Sequence, residues 1–128
     1  MRIARRWIAT LVGMALLMGT GLTGTAAATS SKVRVTGYET GGPKGQVLGE
    51  VRSAKTRCED NRKVTVFRRE ESGKTKLGSA RTNFLEDKYR FAVYDDEPLP
   101  AVGTHFYAVA AAENGCAKET SPDYVFDF

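Results

Sequence analysis

Residues 88–94, KYRFAVY, alternate strictly, with Tyr89, Phe91 and Val93 on one side and Arg90, Ala92 and Tyr94 on the other. Period two is the side-chain period of a strand with one face on a core and the other in water. No segment after residue 28 carries a 3.6-residue period of comparable quality, so no helix is expected to cover a sheet and strands must cover strands. Short alternating runs separated by Gly, Pro, Asn and Asp clusters predict strands at 32–38, 46–54, 63–70, 75–82, 88–94, 104–113 and 123–128. Together they predict an all-β fold, a two-sheet sandwich of about seven antiparallel strands. Val47, Gly49 and Val51 share one face of their strand, Val64 and Val66 point inward, and Phe106, Ala108 and Ala110 form a core row. Tyr124, Phe126 and Phe128 make a last alternating row.

The first 28 residues read as a leader. Arg2, Arg5 and Arg6 precede an apolar run at 8–24, and the alanines at 26–28 supply small residues for a cleavage site. Cleavage is expected after Ala28, giving a single secreted or extracellular domain at 29–128. The charge balance changes with it. The whole chain carries 19 Lys and Arg against 15 Asp and Glu. Three of the basic residues lie in the leader, which leaves 16 against 15, a net charge of +1. That balance gives no reason to expect a nucleic-acid partner or, after cleavage, a membrane partner.

Cys58 and Cys116 are the two cysteines, and both fall in the exported part. An even number in an oxidising compartment reads as one disulfide, here between two loops at the same end of the domain. A metal or redox pair would need more ligands or a C-x-x-C spacing, and neither is present.

G-x-V at 49–51 ahead of the cysteine-bearing loop, R-x-V-x-V at 62–66 after it, L-G-S-A-x-T-N at 77–83, Y-x-F at 89–91 and FYA at 106–108 form an ordered series. That series resembles bacterial secreted domains of the carboxypeptidase-regulatory-like, prealbumin-like type across roughly residues 32–128. The resemblance implies an immunoglobulin-like or transthyretin-like sandwich serving as an accessory or surface module without catalytic residues. Where such domains tend to carry a glycine, this chain has Glu86 and Asp87. Asp87 is expected to take the left-handed backbone in its place.

Chemistry-bearing residues are few. His105 is the only histidine, which rules out a two-histidine zinc hydrolase on this chain alone, and no cofactor is expected. Asp95, Asp96 and Glu97 are the candidate metal-binding oxygens, although the D-x-[DN]-x-[DN]-G order is absent and a solvated strand end is the simpler account. Arg57, Arg62, Lys63, Arg68 and Arg69 crowd the third strand, with Lys74 and Lys76 across the next turn. Glu59, Asp60, Glu70 and Glu71 are interleaved with them, which reads as a mixed solubilising surface. Period two separates Arg68 from Arg69, so a ligand-binding surface would use the outward row of Lys63, Thr65, Phe67 and Arg69.

The expected function is therefore that of a non-enzymatic binding or structural module contacting an extracellular protein or envelope polymer. One alternative is a small secreted hydrolase or hydrolase accessory subunit using His105 with Asp95 or Glu97. Another is an inhibitor of a secreted enzyme presenting residues 95–103, stiffened by Pro98 and Pro100.

Overall fold

The computed structural model describes residues 27–40, 42–96 and 100–127. The expected leader up to residue 26, together with Glu97, Pro98 and Phe128, lies outside the described residues. Strands β1 (Ser31–Glu39), β2 (Gly45–Ser53), β5 (Asn83–Leu85) and β6 (Lys88–Asp95) form a four-stranded antiparallel sheet in the order β1-β2-β6-β5. Strands β3 (Lys63–Glu70), β4 (Gly73–Arg81), β7 (His105–Ala110) and β8 (Glu119–Thr120) form the second sheet in the order β4-β3-β7-β8. Strand β9 (Tyr124–Val125) pairs with β7 beyond β8. The expected all-β sandwich is the fold observed.

The inner faces carry the rows that the alternation marks. Val47, Val51, Val64, Val66, Phe106, Ala108 and Ala110 are fully buried, and Phe91, Val93 and Phe126 nearly so. Tyr38 closes one end of this core, its ring 5.4 Å from Phe106 and edge-on to Phe126 at 5.2 Å. Gly49 lies directly under the Phe91 ring and against the Arg34 carbonyl, where any Cβ would collide with both. The strand gives up a side chain there so that an aromatic from β6 can cover the backbone.

Two short strands were not expected, β5 and β8. The predicted strand at 75–82 ends at Arg81 because Thr82 turns the chain from one sheet to the other. Thr82 is buried, accepts a hydrogen bond from Arg62 N at 2.8 Å and donates to the Glu59 carbonyl. The predicted strand at 104–113 stops at Ala110, where the Glu113–Gly115 turn takes over with left-handed backbone at Asn114 and Gly115.

Asp87 does take the left-handed backbone, at φ 66°, and so does Glu86, at φ 53°. With Leu85 opposite Lys88, the pair makes a two-residue hairpin turn with both central residues at positive φ, the geometry that favours Asn-Gly. Glu86→Asn with Asp87→Gly is expected to raise stability by about 1 kcal/mol, since each non-glycine residue in this region is strained by roughly that much. The Glu86–Arg90 pair at 3.5 Å would be lost, but an exposed ion pair of this kind contributes only about 0.2–1 kcal/mol. An unchanged or lower denaturation midpoint would refute the turn assignment.

The Cys58–Cys116 disulfide joins a 3₁₀ turn (Thr56–Cys58) after β2 to the loop between β7 and β8, at one end of the sandwich, with the Cα atoms 5.6 Å apart. Thr29 pairs with this same loop through Thr29 N to Gly115 O at 2.9 Å and Ala117 N to Thr29 O at 2.8 Å. Ala27 and Ala28, immediately before it, are exposed coil.

Candidate functional site

Antiparallel pairing sets the outer face of the second sheet. Lys63, Thr65, Phe67 and Arg69 of β3 lie opposite Arg81, Ser79, Lys76 and Lys74 of β4. A bulge at Leu77 restores this phase by turning Leu77 toward the core. On the other side Thr65, Phe67 and Arg69 face Val109, Tyr107 and His105 of β7. Lys118 and Thr120 complete the face beside β7. The expected outward row is therefore one column of a wider surface, which holds a shallow concavity of about 530 Å³.

At its centre Phe67 and Tyr107 stack, with centroids 5.2 Å apart and planes 18° from parallel. Lys74 Nζ sits 4.8 Å from the Phe67 centroid and the Arg69 guanidinium 4.2 Å from that of Tyr107. Each ring of the stack thus carries one cation over it, Lys74 on Phe67 and Arg69 on Tyr107. Arg69 also donates from Nε to both carboxylate oxygens of Asp123, at 2.8 and 3.0 Å, and His105 Nδ1 lies 3.0 Å from the same carboxylate. Burial raises the Asp123 carboxyl, but the hydrogen bonds and charges of Arg69 and His105 outweigh it, and the group titrates below the ordinary aspartate value.

At the disulfide end Glu113 accepts a hydrogen bond from Lys63 N at 2.8 Å and faces Arg81 Nη1 at 3.4 Å. The backbone bond, followed by the Arg81 and Arg62 charges, holds its carboxyl below the ordinary glutamate value. Lys63, Lys74, Lys76 and Lys118 make no ion pair among the described residues, and all four are exposed.

The acids that are interleaved in sequence are not interleaved here. Glu59 accepts from Ser53 N at 3.0 Å in the disulfide loop, where Asp60 also lies. Glu70 accepts from Arg68 Nε and from Thr75 Oγ1, both at 2.9 Å. Glu71 sits in the β3–β4 turn. The expected mixed surface is thus resolved into a largely cationic face whose acids, Asp123 and Glu113, are held at its two ends.

Of the clustered basic residues, only Lys63 and Arg69 reach this face, with Lys74 and Lys76. Arg57 donates to the Asn114 carbonyl and to Thr29 Oγ1 at the disulfide end. Arg62 is buried, 1 % exposed, and Arg68 points inward to Asp95 at 3.3 Å. A signal for both was present, because positions 62 and 68 are in phase with the inward Val64 and Val66. Tyr107, outward between Phe106 and Ala108, was legible from the same alternation. Its contact with Phe67 depends on the β3–β7 register, which no local pattern encodes.

Asp95 and Asp96, the two described members of the acidic triplet, do not converge as a cation site. Asp95 is 1 % exposed and accepts from Tyr38 Oη at 3.0 Å, with Arg68 on its other oxygen. Asp96, next in the chain, turns outward to Lys44 at 3.5 Å. Alternation sends consecutive carboxylates apart, and no group of three potential metal ligands occurs among the described residues. Asp95 is thereby also committed away from His105, whose carboxylate neighbour is Asp123. Compared with protein-family models, with curated proteins and with solved structures, the chain finds no significant match.

Proposed function

We propose that this chain is a secreted, non-enzymatic binding module whose ligand surface is the outer face of the second sheet. The observation that carries the reading is the concentration of lysines without an ion pair among the described residues around the Phe67–Tyr107 stack on one open sheet face. The leader pattern and the disulfide support export. The strand orders β1-β2-β6-β5 and β4-β3-β7-β8 support the immunoglobulin-like description, since they follow the A-B-E-D and C′-C-F-G orders of that sandwich. In those terms the disulfide clamps the B–C loop to the F–G loop instead of bridging the two sheets. The likeness to carboxypeptidase-regulatory-like domains points to the same accessory role.

A hydrolase reading has the His105–Asp123 pair in its favour. Against it, Arg69 takes both oxygens of that carboxylate, and no hydroxyl hydrogen-bonds the imidazole among the described residues. An orienting carboxylate without a nucleophile fits a binding surface better than a catalytic one.

Thr120, exposed at the edge of the concavity, provides the test. Incubated with envelope material, the protein is expected to be retained, and Thr120→Trp, which obstructs the concavity, is expected to lose retention while melting unchanged. Equal retention of the two proteins, or none of the unaltered protein, removes the reading.

A further inference from the structure

We infer that the ligand of this face is a linear anionic polysaccharide, one bearing sulfate, phosphate or carboxylate groups along its length; this rests on the binding reading above and specifies its substrate class. Charge is the first reason. The ammonium groups of Lys63, Lys74, Lys76 and Lys118 make no ion pair among the described residues, and the acids near them in sequence are turned to other parts of the fold. An ammonium is a hydrated point charge on a flexible stem, suited to an anion whose position along a polymer varies.

Spacing is the second reason. Lys63 and Lys118 flank Ala111 at the disulfide end, where Ala111 N bonds Lys63 O at 3.0 Å. Lys76 lies opposite Phe67, and Lys74 opposite Arg69, toward the other end. From residue 63 to residue 67 along β3 is four residues, about 13 Å at the rise of a strand. No single phosphate or sulfate spans that distance, whereas a chain with repeated anions does. Between the two cationic ends the floor is Thr65, Val109 and Ala111, side chains short enough to let a chain lie down.

The aromatic pair supplies the third reason, by exclusion. Proteins that hold single-stranded nucleic acid offer free ring faces on which bases stack. Here Phe67 and Tyr107 stack on one another, Lys74 sits over Phe67 and Arg69 over Tyr107, and Tyr107 is only 5 % exposed, so the pair does not present two free ring faces to bases. Recognition is left to charge.

Binding of the protein to heparin and to polygalacturonate, measured against salt concentration, tests this. At least one of the two is expected to bind, with an affinity that falls steeply as salt rises. Lys63→Gln with Lys118→Gln, and separately Lys74→Gln with Lys76→Gln, are each expected to weaken binding at least tenfold. Lys32→Gln with Arg52→Gln removes the same charge from the other sheet and is expected to change it less than twofold. Free sulfate or phosphate at equal anion concentration is expected not to compete. The inference is overturned if neither polymer binds, if the control pair weakens binding as much as the lysine pairs, if the free anions compete as well as the polymers, or if an oligonucleotide or polyglutamate binds more tightly. Failure of both polymers, with envelope retention still abolished by Thr120→Trp, discards the polysaccharide and leaves the face; loss of both results discards the binding reading too.

Discussion

Arg62→Met is expected to lower the unfolding free energy by about 3–5 kcal/mol, the scale of breaking a buried hydrogen-bond network and leaving several carbonyls without donors. The guanidinium is the central tie of the disulfide end. Nε donates to Ala111 O at 2.9 Å, Nη1 to Ser31 Oγ at 2.9 Å and to Cys58 O at 2.8 Å, and Nη2 to Ala117 O at 2.7 Å. Those acceptors come from β1, the 3₁₀ turn and both sides of the β7–β8 loop. One side chain thus satisfies three carbonyls in segments that no strand ladder pairs. Burial pulls the Arg62 pKa below its ordinary value, against the charges of Glu113 and Glu119, yet an arginine stays protonated throughout the working range. Methionine fills similar volume but donates nothing, leaving carbonyls short of partners at about 1–3 kcal/mol for each one that water cannot reach. Arg62→Lys should be destabilising too, because an ammonium cannot reproduce the planar fork. Urea denaturation of the three proteins measures this, and a loss below about 1 kcal/mol for the methionine variant would show that water replaces the guanidinium.

Reduction of Cys58–Cys116 is expected to cost about 4 kcal/mol, the chain-entropy value for the 58-residue separation that the bond closes. A domain of this size has a total stability of only about 5–15 kcal/mol, so the reduced protein should melt far lower while its outer-face residues remain as they are. The effect should not add simply to that of Arg62→Met. The guanidinium binds the Cys58 carbonyl, and the two devices tie the same loops, so removing either loosens what the other holds. Denaturation curves with and without reductant for both proteins complete the cycle. Coincident curves for the oxidised and reduced unaltered protein would count against the entropic account. A mass two hydrogens lighter before reduction checks that the bond has formed in solution.

Much of the fold was legible because it follows from one local rule. Period two placed Val47, Val51, Val64, Val66, Phe91, Val93, Phe106, Ala108 and Ala110 inside, and two cysteines in loops led to one disulfide. The same rule also implied that Arg62 and Arg68 face inward, a consequence masked by the habit of placing arginine at the surface. The short strands β5 and β8 escaped because two or three residues carry no measurable period, and pairing with β6 and β7 alone gives them their form.

Of the candidate site, the column Lys63, Thr65, Phe67 and Arg69 was readable from β3 by itself. Its neighbours were not. Lys74, Tyr107, Lys118 and Asp123 come from four separate segments, and what brings them together is the antiparallel register of β3 with β4 and β7 and the return of the chain along the far edge of β7. The acidic pair shows the reverse. Adjacent in sequence, Asp95 and Asp96 diverge in space because alternation directs one to Arg68 and Tyr38 and the other to solvent.

Side-chain period, turn residues and cysteine number are local or countable properties, and they suffice for an all-β sandwich with one cross-link. Charge segregation is not local. Whether Glu59 and Glu70 neutralise Lys63 and Arg69 depends on which hydrogen-bond partners the fold offers each carboxylate, and those partners, Ser53 N, Arg68 and Thr75, lie on other strands or on the opposite face. Tertiary pairing alone converts an evenly mixed sequence into a cationic surface.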